Sequence, residues 1–305
     1  MANLLQHTFK YLLGIVISFG CMLTISHAKP KIQPLDANIA EKGSQYYDFK
    51  IKEFISKDQK RIYKVWLGIP KTTSEEKKYY SIFMLDGNSA MSYLDETLLK
   101  TLTEQKNTPV LVAIGYKTNL PFETASRSLD YTPADLLSQQ PAPDPRNPER
   151  MSGGSADFLN IILSEIAPWV EQHAQLDANN RAIWGHSYGG LFVLDSLLNS
   201  EYFSHYFAAS PSLSWAEQRM IKKIKSSQIQ QAKQKHLWLM EGDLFNIPSQ
   251  QQSPNFDSNG INKNREILSI FNQQGLDAKF LIYPNLKHGE VFKASLLDVL
   301  SNKFY

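Results

Sequence analysis

The chain has 305 residues, 42% hydrophobic and 20% charged, enough apolar material for one large core and without a low-complexity linker to divide it. Lys+Arg 32 against Asp+Glu 30 leaves a formal charge of +2, which excludes a strongly basic nucleic-acid-binding surface. The single cysteine, Cys21, excludes an internal disulfide, a cysteine-built zinc site and a cysteine-bound iron–sulfur cluster.

The N-terminus reads as an export signal. Residues 1–10 carry one lysine and no acid, and residues 11–28 contain no charged side chain before Lys29. A positive start, an apolar run and the small-residue exit Ser26-His27-Ala28 are the parts of a secretory signal, with cleavage after Ala28. The uncharged run is also near the shortest length that spans a bilayer, which leaves a retained inner-membrane anchor open. Residues 1–28 are therefore read as signal peptide or N-terminal membrane anchor, and 29–305 as one folded domain. A mature chain without cysteine suits an oxidising compartment.

Residues 47–55 and 61–69 read as strands joined by a turn at 56–60. The apolar run 80–85 ends in the turn Asp86-Gly87-Asn88. Met91, Leu94, Leu98, Leu99 and Leu102 then share one helical face. Residues 109–115 form a fully apolar, buried-type strand. The segment 116–154 holds six prolines and no periodicity, predicting a long irregular loop. Helical spacing returns with Phe158, Leu159, Ile162, Ile166 and Trp169, and Pro168 is expected to bend or end that helix. Strands at 181–185, 206–209, 237–240 and 278–283 alternate with helical stretches, the last over 290–300. A second irregular insert, 246–260, is rich in Gln, Ser, Asn and Pro. This alternation predicts an α/β fold: a mostly parallel central sheet with helices on both faces, an antiparallel start and no large lid domain. Without a lid, the site would be open and shallow.

Gly185-His186-Ser187-Tyr188-Gly189-Gly190 lies between a buried strand and a helical pattern (Leu191, Leu194, Leu198). That is the context of a nucleophile elbow, where a sharp turn exposes the Ser187 hydroxyl and glycines at 185 and 189 avoid clashes. The turn also aims the Tyr188 N–H and a helix N-terminus at the same spot. Of seven histidines, His288 sits on the loop after the last strand, where a serine hydrolase carries its base. His186 lies beside the nucleophile rather than facing it. Asp243 and Glu241 follow the strand ending at Met240 and are both candidates for the acid; a dyad without an acid stays open. The turn after 80–85 supplies Gly87 or Asn88 as the second oxyanion-hole donor besides Tyr188.

At this point the chain resembles the periplasmic trilactone esterases that open enterobactin and salmochelin, macrocycles of catechol-acylated serine. The residues that carry the likeness are Ile39-Ala-Glu-Lys-Gly-Ser44, Met84-Leu-Asp-Gly-Asn88, Val112-Ala-Ile-Gly-Tyr-Lys-Thr-Asn-Leu-Pro-Phe122, Ser126-Arg-Ser-Leu-Asp-Tyr-Thr-Pro133, Trp184-Gly-His-Ser-Tyr-Gly-Gly-Leu-Phe-Val-Leu-Asp-Ser196 and Pro284-Asn-Leu-Lys-His-Gly289. It implies an α/β-hydrolase fold, a periplasmic location and a Ser187–His288 pair without a conventional acid. The insert 246–260 is longer than the family's loop, and Lys287 stands where the family has Gly. Arg127 would then pair with catecholate oxygens or the lactone, or else with Asp130, while Tyr116, Phe122 and Tyr131 would stack on catechol rings. No metal or organic cofactor is implied; iron would arrive with the siderophore substrate. A broad carboxylesterase of aryl or feruloyl type, or a siderophore-binding protein with a vestigial site, remains an alternative.

Overall fold

Strand–helix alternation becomes, in the computed structural model, one eight-stranded sheet with helices on both faces. Residues 33–71, 78–244 and 260–301 are described; residues 1–28, read from the sequence as an export segment or anchor, and nearly all of the 246–260 insert lie outside them. In chain order the elements are α1 (Ile39–Lys42), β1 (Tyr47–Ile55), β2 (Ile62–Pro70), β3 (Tyr79–Met84), α2 (Gly87–Met91), α3 (Glu96–Thr103), β4 (Val110–Tyr116) and α4 (Thr124–Asp130). Then come β5 (Ala142–Asp144), β6 (Asn147–Ser152), α5 (Ser155–Ile161), α6 (Ala167–Glu171), β7 (Leu176–His186) and α7 (Tyr188–Asn199). β8 (His205–Ala209), α8 (Arg219–Ser226), β9 (His236–Gly242), α9 (Gly260–Gln273), β10 (Asp277–Tyr283) and α10 (His288–Leu300) complete them.

The strand order is β1-β2-β4-β3-β7-β8-β9-β10. β1 pairs with β2 and β2 with β4 antiparallel; every other neighbour is parallel. All eight strands expected from the sequence are present, and the antiparallel start is as expected. β3, β4 and β8 are buried along their whole length because both faces are covered. By contrast, β7 begins with the polar residues Asp177, Asn179, Asn180 and Arg181 after Leu176, and the edge strand β10 is mostly only partly buried. One face packs Phe83, Val112 and Ile183 against α5, α7, α8 and α9; the other packs Met84, Trp184 and Phe207 against α3 and α10. Trp184 seats α10: its Nε1–H donates to Ser295 Oγ at 3.1 Å and its ring meets Phe292 edge-on at 4.9 Å.

Three local expectations are corrected. The helical face over 91–102 is divided between α2 and α3, because the Asp95 side chain accepts the Leu98 N–H at 2.8 Å and starts a new helix. Of the two outcomes expected at Pro168, a bend or an end, the end is the one corrected. A π turn at Ile162–Ile166 precedes it and widens the backbone where the ring would otherwise meet the preceding turn, so α6 runs on to Glu171. The proline-rich segment is not structureless, for it holds α4 and the β5–β6 hairpin. Neither shows an apolar stripe, since both are tied down by polar side chains.

At the far end of the sheet from the strand carboxyl termini, His205 stacks on His236 (centroids 4.9 Å, 20°), and its Nδ1 lies 2.7 Å from Ser204 Oγ. Burial pushes the His205 imidazole down to about 3 from its ordinary 6.5, with the neighbouring His236 adding to the effect. The folded chain thus keeps the ring neutral where the unfolded chain protonates it, so stability falls as pH drops below 6.5 toward 3. His205→Phe is expected to flatten this acid limb by up to about 1.4 kcal/mol per pH unit, measured by urea denaturation across that range. An unchanged slope would refute it.

Candidate active site

β7 ends at His186, and the chain enters α7 through a single residue, Ser187, at φ 61°, ψ −112°. That conformation is costly for an L-residue with a side chain, about 1–3 kcal/mol, and persists only where the surroundings impose it. Here they do. The Ser187 N–H donates to Ala209 O at 2.9 Å, and its carbonyl accepts from Leu191 and Ser212 N–H at 3.2 Å each. A Cβ on Gly185 would lie 2.5 Å from Gly189 O, and one on Gly190 would lie 2.9 Å from Pro211 Cα. Gly189 is different from what the motif suggests: its Cβ would come no nearer than 3.6 Å to Leu85, an ordinary contact. Close approach therefore demands glycine at 185 and 190. Ser187 Oγ lies 3.1 Å from Ser212 Oγ, a partner with no sequence signal to announce it.

His288 opens α10 beside this turn, solvent-exposed, its ring centroid 4.7 Å from that of His186. His186 Nε2–H donates to the His288 carbonyl at 2.8 Å, which requires a proton on Nε2. Burial, reinforced by the charges of His288 and Arg127, holds His186 well below the ordinary imidazole range. His186 is thus more than a bystander of the nucleophile: it braces the residue that carries the candidate base.

The two candidate acids have different surroundings. Among the described residues no hydrogen bond or ion pair joins Asp243 to an imidazole; its Oδ1 accepts the Asn285 backbone N–H at 2.6 Å, tying down the loop that leads to His288. Asn285 there sits at φ 60°, a conformation that tolerates Asn. Glu241 is buried at the end of β9. Its Oε1 accepts from Ser210 Oγ at 2.6 Å and its Oε2 from Asn264 Nδ2 at 3.0 Å.

The candidate oxyanion donors meet the same end of the sheet from β3. The first bond in α2 runs from Ala90 N–H to Asp86 O, so the Gly87 and Asn88 N–H groups precede any intrahelical acceptor. The Tyr188 N–H is in the same position in α7, whose first bond is Leu191 N–H to Ser187 O. The Asn88 side chain is spent on β4 and the loop after it, with Oδ1 accepting from Tyr116 N–H at 2.8 Å and Nδ2 donating to Tyr116 and Thr118 carbonyls.

Asp86 initiates α2 at φ 50°, buried, with its N–H donated to Tyr131 OH at 3.0 Å. Arg127 grips its carboxylate in two 2.9 Å bonds. Of the two roles expected for Arg127, substrate contact or else an Asp130 pairing, the Asp130 pairing is corrected: Asp130 faces Arg61 Nε at 3.0 Å, and the Arg127 fork is taken up by Asp86. Tyr116 and Tyr131 are also not available to stack on a ligand. They are 4% and 0% exposed, and the Tyr116 hydroxyl donates to Asp130 Oδ2. Phe122 is half-buried, edge-on to Phe292 at 5.7 Å, and it alone of the three predicted aromatics stays at the rim.

Residues 56–297 match a family model described as Putative esterase. Over 294 residues the chain is 43% identical to the apo-salmochelin esterase of Escherichia coli O6:H1 (strain CFT073), spanning 94% of this chain and 90% of that protein. It is 29% identical over 264 residues to the ferri-bacillibactin esterase BesA of Bacillus subtilis (strain 168), 83% and 87% of the two chains. Among solved structures, the enterobactin and salmochelin hydrolase IroE matches with a TM-score of 0.72 at 41% identity, covering 87% of this chain and 98% of its own.

Two predictions come from this geometry. Gly189→Ala is expected to keep stability within about 1 kcal/mol of wild type, whereas Gly185→Ala or Gly190→Ala loses roughly 2 kcal/mol or more, read by chemical denaturation. In a double-mutant cycle, Arg127→Gln and Asp86→Asn are each expected to cost about 3 kcal/mol, with the pair costing clearly less than the sum; additivity would mean that the ion pair does not hold the α2 turn.

Proposed function

The chain belongs to the esterase family whose model spans most of its length, and on that premise we propose that it hydrolyses the seryl ester bonds of a catecholate siderophore trilactone of the enterobactin or salmochelin type. It is a carboxylic ester hydrolase. The observation that carries the reading is the strained Ser187 at the β7–α7 turn, with His288 braced next to it by His186, in a chain similar along nearly its whole length to siderophore esterases.

The chemistry is acyl transfer to water. Ser187 Oγ attacks a seryl ester carbonyl while His288 takes its proton. The resulting oxyanion is met by the N–H of Tyr188 and by the backbone N–H of Gly87 or Asn88, each such donor being worth about 3–4 kcal/mol of barrier. When the tetrahedral intermediate collapses, His288 returns the proton to the leaving serine oxygen, and the opened ester stays acylated on Ser187. Water, deprotonated by His288, then attacks the acyl-enzyme. As the second tetrahedral intermediate collapses, His288 returns that proton to Ser187 Oγ and the carboxylic acid leaves. The N-terminus of α7 favours the negative charge that develops in both steps. In the resting site the Ser212 hydroxyl at 3.1 Å gives the Ser187 hydroxyl a polar partner. Iron enters only as part of the substrate. The uncharged run in residues 11–28 supports a periplasmic enzyme, soluble or attached to the inner membrane.

Incubating the protein with cyclic enterobactin is expected to yield the linear trimer by mass spectrometry. Ser187→Ala and His288→Ala should each lower kcat/KM at least about a thousandfold, and the former should abolish covalent labelling by a fluorophosphonate. Asp243→Asn should cost less than about tenfold, because its carboxylate serves the loop backbone. Turnover of simple aryl esters with an inert trilactone would instead favour a broad carboxylesterase, and siderophore binding without labelling would favour a vestigial site.

A further inference from the structure

Two guanidinium groups approach the ring of Tyr188, the residue after Ser187: Arg127, with Cζ 5.7 Å from the ring centroid, and Arg146, at 5.8 Å. Electrostatically they are unlike. The Arg127 fork is occupied by Asp86, and its side chain is 15% exposed. Arg146 is exposed, and among the described residues no carboxylate pairs with it.

Arg146 is nevertheless held in place. It occupies the two-residue turn between β5 and β6, and its N–H donates to Asp144 Oδ1 at 2.9 Å. Asp144 is 2% exposed and also accepts from Tyr188 OH and Trp215 Nε1, each at 3.0 Å, and from Ser128 Oγ. Burial opposes its ionisation, but these donors hold its carboxyl below the usual range. One buried carboxylate thus clamps the turn to the aromatic ring over which its guanidinium lies. A cation positioned in advance loses little freedom when it captures an anion, and a planar, weakly hydrated guanidinium suits phenolate oxygens and aromatic faces.

We propose that Arg146 is a specificity residue that recognises the negative charge of the iron-loaded substrate. The assignment rests on the trilactone reading above. Six phenolate oxygens around a ferric ion make the loaded complex a trianion, whereas the iron-free catechols are neutral near pH 7. A rim cation acts on encounter and binding, and its effect is screened by salt.

The test compares wild type, Arg146→Gln and Arg146→Lys on ferric and iron-free enterobactin at low and high ionic strength. Arg146→Gln is expected to raise KM for the ferric form about tenfold more than for the iron-free form. Arg146→Lys should retain most of the discrimination, and high salt should shrink the difference between the two forms. Equal KM changes on both forms, or a loss confined to kcat, overturn the assignment and leave the esterase reading standing. A wild-type protein that is labelled by a fluorophosphonate yet inert on both forms overturns the trilactone reading, and the assignment with it.

Discussion

A strand that must become a helix within one residue forces that residue out of the ordinary backbone basins, and Ser187 is where this chain accepts the cost. Everything near the site serves that turn. The end of β8 receives its N–H, the 210–215 loop hangs from its carbonyl, and Gly190 lets Pro211 come within a distance that no side chain would permit. Because β7 and α7 are buried along most of their length, the turn cannot relax without disrupting both hydrophobic layers. The hydroxyl consequently stands at the sheet's carboxyl edge with two sets of unspent backbone N–H groups nearby.

The loops around the turn are assembled by buried carboxylates rather than by apolar stripes. Asp86, gripped by Arg127, sets the left-handed start of α2 and with it the direction of the Gly87 and Asn88 N–H groups. Asp144 draws donors from α4, from α7, from Trp215 and from its own hairpin turn, and needs no cation to do so. A third carboxylate, the only partly buried Asp243, holds the Asn285 turn. A carboxylate with several fixed donors is a directional joint, whereas apolar contacts alone would leave such short elements free to slide. The arrangement also divides labour between the arginines: one is structural, the other remains open to an anion.

His186 links the nucleophile turn to α10. Buried and neutral, it donates to the His288 carbonyl while its ring lies against the His288 ring, so two residues 102 positions apart share one orientation. α10 is in turn seated by Trp184 two residues earlier on β7, through Ser295 and Phe292. The strand that presents the nucleophile thereby also positions the helix that opens with the candidate base.

From local pattern alone came the eight strands of the sheet, the α/β alternation, the Ser187 turn and the His288 loop. These are legible because apolar periodicity and glycine spacing are properties of neighbouring residues. Local pattern misled at 91–102, where the Asp95 cap outweighed a continuous apolar face, and at 116–154, where α4 and the hairpin carry no periodic stripe. It could not say that Tyr116 and Tyr131 belong to the core, that Arg127 belongs to Asp86, or that Ser212 meets Ser187, since each depends on a partner at least 14 positions away. Sequence, then, determined the reaction's candidate atoms and the sheet that displays them. Tertiary structure decided which charges are consumed internally and which remain for a substrate, because hydrogen bonds and ion pairs between distant segments exist only once the chain is folded.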